Sequence, residues 1–388
     1  MPAGSPHGRE AASLRILMLA PPWFSVPPAA YGGTEQVVAL LVDGLVAAGH
    51  EVTLVASGGS DTRADLLSPY EAPLTSQLGT GAIELAHLLA GYRRRAAFDV
   101  IHDHTVLGLA LASVPGGPPV VHTVHGAWRA ETTPLYRSLP PHVQVITVSR
   151  DQAGRAPTGV NPMGTVHNAV DLAAHPFCGS KGEHLAFLGR ASPEKGPVDA
   201  IEVARRTGRP LRMAMKVNEA DERAYLEAVV RPVLGRADVD LVDVVDQAGK
   251  LELLASAAAV VFPIAWDEPF GLVPVEANAC GTPVVAFARG AVPEVIVDGR
   301  NGVLVRPGDL AGLCAGVATA VTLDPVACRA VVAERFDAPR MVADYLDRYR
   351  LVAADRPLTA DPPRFSGGED PFTLNGSPVA APDRAPGR

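Results

Sequence analysis

The chain has 388 residues, long enough for two αβ domains of ordinary size plus tails. Acidic side chains outnumber basic ones and give a formal net charge of −8, which argues against a dedicated nucleic-acid binder. Cys178, Cys280, Cys314 and Cys328 show no C-x-x-C spacing and read as reduced thiols, and no apolar run is long enough to span a bilayer.

Residues 1–13 are small, polar and aperiodic, so a disordered tail is expected. "LRILMLA" (14–20) has the length and flanks of a buried strand. No small-residue cleavage pattern follows it, and a cytoplasmic protein is expected. A loop rich in proline and aromatics, "PPWFSVPPAAYGG", leads to "TEQVVALLVDGLVAAG", whose apolar spacing is helical and whose end is a glycine stop. "HEVTLVA" is the next strand, so the chain opens with a βαβ unit, the building block of parallel sheets. "FDVIHDH", "PPVVHTVHG" and "HVQVITVS" are three further strands. The irregular stretch 165–182 is the expected linker.

A second αβ series begins at "LAFLGR" (185–190). Helices are expected at "PVDAIEVARRTG", "ADERAYLEAVVRPVLG", "KLELLASAAA", "PVEANACG", "DLAGLCAGVATAVTL" and "APRMVADYLDRYRLVAA". Strands are expected at "LRMAMKV", "VDLVDVV", "VVFPI", "PVVAF" and "GVLVRP". Residues 355–388 hold few large apolar groups and cannot offset their own ordering entropy, so disorder is expected there. The basic run Arg93–Arg95 reads as a solvated helix end or a patch for anionic lipid; any membrane contact is expected to be peripheral. The richness in Ala, Gly, Pro, Arg and Val suggests a bacterial genome.

Two doubly wound domains leave a cleft, and ligands bind outside the carboxyl ends of such strands. "YGGTE" (31–35) falls there, after the first strand: Gly32 and Gly33 permit close backbone approach, Thr34 is a plausible N-cap, and a helix N-terminus attracts anions. The same residues also read as a plain turn and cap. "GRASPEKGP" (189–197) places Arg190 and Lys195 on one loop, either two solvated surface cations or a pair suited to a diphosphate. In "WDEPFGLVPVEANACG", Pro274 fits a first helical turn with Glu276 in that same turn, where a carboxylate can accept two vicinal hydroxyls, as a ribose offers. Glu268 precedes the turn and reaches toward the cleft, with the amides of "PFGL" between the two acids. Alternatively Glu276 is a capping acid and Glu268 a surface loop residue. G-x-G-x-x-G is absent, which disfavours an NAD dehydrogenase.

"EPFGLVPVEANACGTPVVA" closely resembles the E-x7-E signature of the family-4 retaining glycosyltransferases, whose fold is GT-B. "YGGTE", "HTVHG", "NAVD", "GRASPEKG", "GAVPEV" and "DGRNGVLV" agree in order, over roughly residues 14–353. The look is most like a bacterial subgroup that includes an avilamycin-pathway enzyme. The resemblance implies two Rossmann-like domains, an acceptor domain at 14–172 and a nucleotide-sugar donor domain at 183–335, with a crossover helix at 336–354 returning to the first. It implies that Arg190 and Lys195 hold the donor diphosphate and stabilise the leaving group. It makes Glu276 the ribose-binding acid and Glu268 the acid that contacts the donor sugar. The amides of Phe270, Gly271 and Leu272 line the sugar and phosphate, and Gly32 and Gly33 approach the diphosphate from the other domain. His125 resembles the histidine that touches the transferred sugar, and also reads as a packed strand-end residue. His102 and His104 read as caps of backbone groups.

The implied activity is transfer of a hexose from a UDP- or GDP-type sugar to the hydroxyl of a small-molecule or glycan acceptor. Retention of configuration, no metal and no cofactor are expected. "NAVD" carries Ala169 where the family usually has glycine, and Lys216 stands in a region that often carries glycine. A nucleotide-sugar epimerase and a non-catalytic binding protein on the same fold are the alternatives. Trp23, Phe24 and Tyr31 form either an acceptor platform or simple packing.

Overall fold

The computed structural model describes residues 13–29, 32–242 and 246–354. The tails expected at both ends, Ser13 apart, and Tyr31 lie outside the described residues.

The first half supplies strands β1 (Arg15–Leu19), β2 (Glu51–Val55), β3 (Asp65–Leu67), β4 (Val100–Asp103), β5 (Val120–Val124), β6 (Val143–Thr147) and β7 (Gly164–Thr165). Among the described residues they form one parallel seven-stranded sheet in the order β3-β2-β1-β4-β5-β6-β7. The second half supplies β8 (Leu185–Arg190), β9 (Leu211–Lys216), β10 (Val239–Val242), β11 (Ala259–Phe262), β12 (Val284–Phe287) and β13 (Gly302–Val305), ordered β10-β9-β8-β11-β12-β13. The expectation of two doubly wound parallel sheets is met. Ile16, Leu17, Met18 and Leu19 are all fully buried, as a strand covered by helices on both faces requires. In register, Ile16 lies opposite Val52 on β2 and Val100 on β4.

Strand order reverses at β1/β4 in the first sheet and at β8/β11 in the second. These are the switch points where a doubly wound sheet opens a crevice at its carboxyl edge. The loops leaving β1, β8 and β11 therefore share one cleft, and those are the loops that carry the suspected chemistry.

The helix Ala338–Ala354 carries the chain back to the first sheet. Met341, Tyr345 and Tyr349 are fully buried in the same core as Ile16, Val38 and Leu41. The outgoing linker and the returning segment run side by side: Val170 N–H donates to Phe336 O at 2.9 Å, and Ala338 N–H donates to Val170 O at 3.0 Å. Any hinge between the halves bends two hydrogen-bonded segments at once.

Several elements depart from expectation. The edge strand β3 and the helices Gly81–Tyr92 and Pro325–Arg335 carried no sequence assignment. The helix expected over 220–235 is broken by a π turn, Leu226–Val230, before Arg231–Leu234. Pro232 sits just after it and has no N–H to donate, so the ladder shifts register ahead of the proline.

Candidate active site

A cavity of about 1000 Å³ fills the cleft, within the range of small-molecule sites. It is lined by Gly32, Gly33, His125, Lys195, Glu268, Phe270, Gly271, Leu272 and Glu276, so nine of the sequence-assigned residues converge on it. Arg190 does not line it.

The wall from the first half is the start of helix Gly33–Ala47. Its cap residue is Gly32, with no side-chain cap, so Thr34 lies inside the helix and is not the expected N-cap. The cap falls two residues before Thr34 because the paired glycines let the backbone turn without help from a hydroxyl. A Cβ on Gly33 would lie 3.2 Å from Leu272 Cδ1, a side chain of the opposite half. A larger residue there would press on Leu272, so the glycine suits the close approach of the two halves.

The opposing wall is helix Leu272–Ala279, capped by Gly271 at φ 88, a left-handed conformation that favours glycine. The backbone amides of Phe270, Gly271 and Leu272 donate no hydrogen bond to any described residue. Three such N–H groups at a helix start form an anion site. The Phe270 ring itself packs inward, edge-on to Phe336 at 5.8 Å. Glu276 is in the second turn, not the first, because the helix starts two residues before Pro274. It is 6 % exposed, and its Oε1 accepts from Lys250 Nζ at 2.7 Å. That ion pair explains how a buried carboxylate is tolerated, which the capping-acid reading does not.

Lys195 Nζ donates to Glu268 Oε2 at 2.5 Å, and Trp266 Nε1 donates to the same oxygen at 2.8 Å. The lysine also lies 5.1 Å from the centroid of the Trp266 ring. Glu268 is therefore a fixed cleft carboxylate rather than a surface loop residue. Arg190 donates to Glu194 Oε1 at 2.7 Å and stands 3.7 Å from Glu222 Oε1. These two carboxylates engage the guanidinium, and Lys195 lines the cavity while Arg190 does not.

His125 follows β5 and borders the cavity; its Nε2 lies 2.8 Å from His104 Nδ1. His102 and His104 cap no backbone groups. His102 bonds Tyr349 OH at 2.6 Å and Thr123 Oγ1 at 2.8 Å, which ties the returning helix to the first sheet. Burial lowers His125 to about 4 and holds His102 and His104 well below the ordinary range. No group of three or more His, Cys, Asp or Glu suited to a metal ion occurs among the described residues.

Sequence reasoning gave no site role to four residues. Glu35, third in its helix, is 5 % exposed at the cavity wall, and burial raises it to about 7 against the pull of its own backbone N–H and of Lys216. Lys216 crosses from the second half to lie 5.3 Å from the Phe24 ring, and burial lowers its pKa. Lys250, at the head of "KLELLASAAA", was read only as helix. Glu294, within the quoted "GAVPEV", clasps the halves together: it accepts from Arg150 N at 3.0 Å, Asp151 N at 2.7 Å and His167 Nε2 at 2.8 Å. Burial alone would raise Glu294, but His167 and the two amides outweigh it and hold the carboxyl at about 2.

The glycosyltransferase family 4 family model matches residues 31–174, and that of glycosyl transferases group 1 matches residues 178–331. The alpha-maltose-1-phosphate synthase of Mycolicibacterium smegmatis is 30% identical over 310 residues, 66% of this chain and 80% of that protein. Among solved structures, AviGT4, a glycosyltransferase involved in avilamycin A biosynthesis, is 26% identical with a TM-score of 0.68, covering 88% of this chain and 99% of its own. Anabaena Alr3699/HepE, solved with UDP-glucose, is 18% identical with a TM-score of 0.66, covering 86% and 100%, a likeness of fold.

Proposed function

Because the chain belongs to the glycosyl transferases group 1 family and is a glycosyltransferase of GT-B fold, we propose that it moves a hexose from a nucleotide-diphosphate sugar to an acceptor hydroxyl, with retention and without a metal. One observation carries the reading: a cation, three undonated amides and two paired carboxylates meet in one cavity between the halves.

Lys195 and the amides of residues 270–272 take the diphosphate and offset the charge that grows on it as the glycosidic bond breaks. They supply the positive charge a metal would otherwise bring. Glu276, held by Lys250, accepts the ribose hydroxyls. Glu268 sits beside the sugar, where an oxocarbenium-like carbon gathers positive charge. With Lys195 and Trp266 already on its Oε2, Glu268 is read as an electrostatic partner and not a nucleophile. That favours front-face transfer, with the diphosphate helping to deprotonate the acceptor. Arg190 joins the diphosphate only by leaving Glu194. Gly32 and Gly33 bring the acceptor half close, and Trp23 and Phe24 on the same wall offer aromatic surface to the acceptor. A UDP-type donor is favoured by the UDP-glucose complex of the structural neighbour.

The test is a thermal-shift screen against UDP-, GDP-, ADP- and dTDP-sugars, followed by transfer assays. One nucleotide class should stabilise the protein and support transfer, and the anomeric coupling of the product should match the donor. Stabilisation by none of them, or an inverted product, overturns the reading.

A further inference from the structure

The histidines behind the cavity wall are joined in an order that fixes where their protons lie. His104 Nε2 is 3.0 Å from Met18 Sδ, and His104 Nδ1 is 2.8 Å from His125 Nε2. A thioether sulfur has no hydrogen and can only accept, so the proton of that contact is on His104 Nε2. A neutral His104 then has a bare Nδ1, which must accept from an N–H on His125 Nε2. His125 in turn has a bare Nδ1. That nitrogen has no hydrogen bond to any described residue, is not among the buried unpartnered polar atoms, and belongs to a cavity-lining residue. It opens on the cleft.

A doubly protonated ring would break this chain, and the surroundings oppose one. His104 is 6 % exposed, and its ring lies 4.0 Å from that of His102 and 5.1 Å from that of His125, centroid to centroid. Burial favours the neutral form of all three rings, and neighbouring imidazoles add to it at His102 and His104.

We propose that Met18 and His104 are positioning residues that lock His125 in its Nε2–H tautomer, presenting Nδ1 to the cleft as a hydrogen-bond acceptor that selects a neutral sugar hydroxyl over a carboxylate. A hydroxyl can donate to the bare nitrogen. A carboxylate has only acceptor oxygens and meets a lone pair. The choice of sugar rests on the donor-site reading of the cavity; the tautomer lock does not.

The test is heteronuclear NMR of free enzyme labelled with ¹⁵N in histidine, which reads whether each ring nitrogen bears a proton. His104→Gln and His125→Gln serve only to assign signals. Both His104 and His125 are expected with protonated Nε2 and bare Nδ1 near neutral pH. A proton on His125 Nδ1, or an imidazolium at either ring, overturns the proposal. Met18→Leu keeps the volume and removes the acceptor sulfur; a second signal set with protonated Nδ1 should appear, and unchanged rings would overturn the role of Met18. The wild-type measurement needs no variant, so a misfolded variant leaves the proposal open to refutation. Thermal shifts with UDP-glucose and UDP-glucuronic acid at equal concentration form the second arm. A larger shift with glucose is expected, and a larger one with glucuronate overturns the selection. No shift with either counts against the donor-site reading and leaves the NMR result to decide the lock.

Discussion

Replacing Glu35 with glutamine should stabilise the protein, and increasingly so as pH rises. The carboxyl is almost fully buried at the head of helix Gly33–Ala47, and burial moves it from an ordinary 4.5 to about 7. At about 1.4 kcal/mol per pH unit, that displacement corresponds to roughly 3 kcal/mol. The sign follows from proton binding. The folded chain holds this proton more tightly than the unfolded chain, so the group's contribution is complete below 4.5 and is lost as pH rises to about 7. Glutamine keeps the shape and cannot ionise. The stability difference between Glu35→Gln and wild type should therefore be small at pH 4.5 and grow by on the order of 3 kcal/mol by pH 8. Urea unfolding at a series of pH values measures it, with Trp23 and Trp128 reporting on the first half. A difference that does not change with pH would show that Glu35 ionises freely, and would refute the desolvation argument.

Three further expectations concern ion pairs. Lys195→Ala should reduce kcat by about 10²–10³, and the double variant with Glu268→Gln should cost less than the sum of the singles, because the two groups form one pair; strict additivity in a transfer assay would deny the coupling. Lys250→Met leaves the Glu276 carboxylate buried without its cation, so a loss of about 1–3 kcal/mol in stability and a raised donor KM are expected; an unchanged KM would separate Glu276 from donor binding. Glu294→Gln should destabilise the enzyme by about 1–3 kcal/mol at neutral pH. Because the Glu294 carboxyl is held at about 2, its contribution is present above 4.5 and lost as pH falls toward 2, so the gap from wild type should close over that window in acid-unfolding curves.

The architecture was legible because strands buried on both faces are nearly continuous apolar runs, and "LRILMLA", "LAFLGR" and "PVVAF" are such runs. β3 escaped because an edge strand of three residues, largely exposed, has no such signature. Helix Pro325–Arg335 escaped although Asp324 caps it and Pro325 opens it, because its apolar stripe is weak. Positions along the chain placed Glu268, Lys195 and the 270–272 amides in the cleft correctly, since loops at strand ends have little freedom in where they lie. Partners were another matter. The pairing of Glu276 with Lys250 spans 26 residues, that of His167 with Glu294 spans 127, and that of His102 with Tyr349 spans 247. Each depends on tertiary geometry that no local spacing encodes. The pairing of Arg190 belongs to the same class: Glu194 and Glu222 both engage it, and only the folded chain shows that.

The most direct test of the donor site is a crystal structure of the enzyme with the nucleotide sugar that stabilises it most. The diphosphate should lie within hydrogen-bond reach of Lys195 and the amides of residues 270–272, with the ribose hydroxyls on Glu276. A nucleotide bound outside the cavity, with Lys195 still donating to Glu268 and Glu276 touching only Lys250, would contradict it.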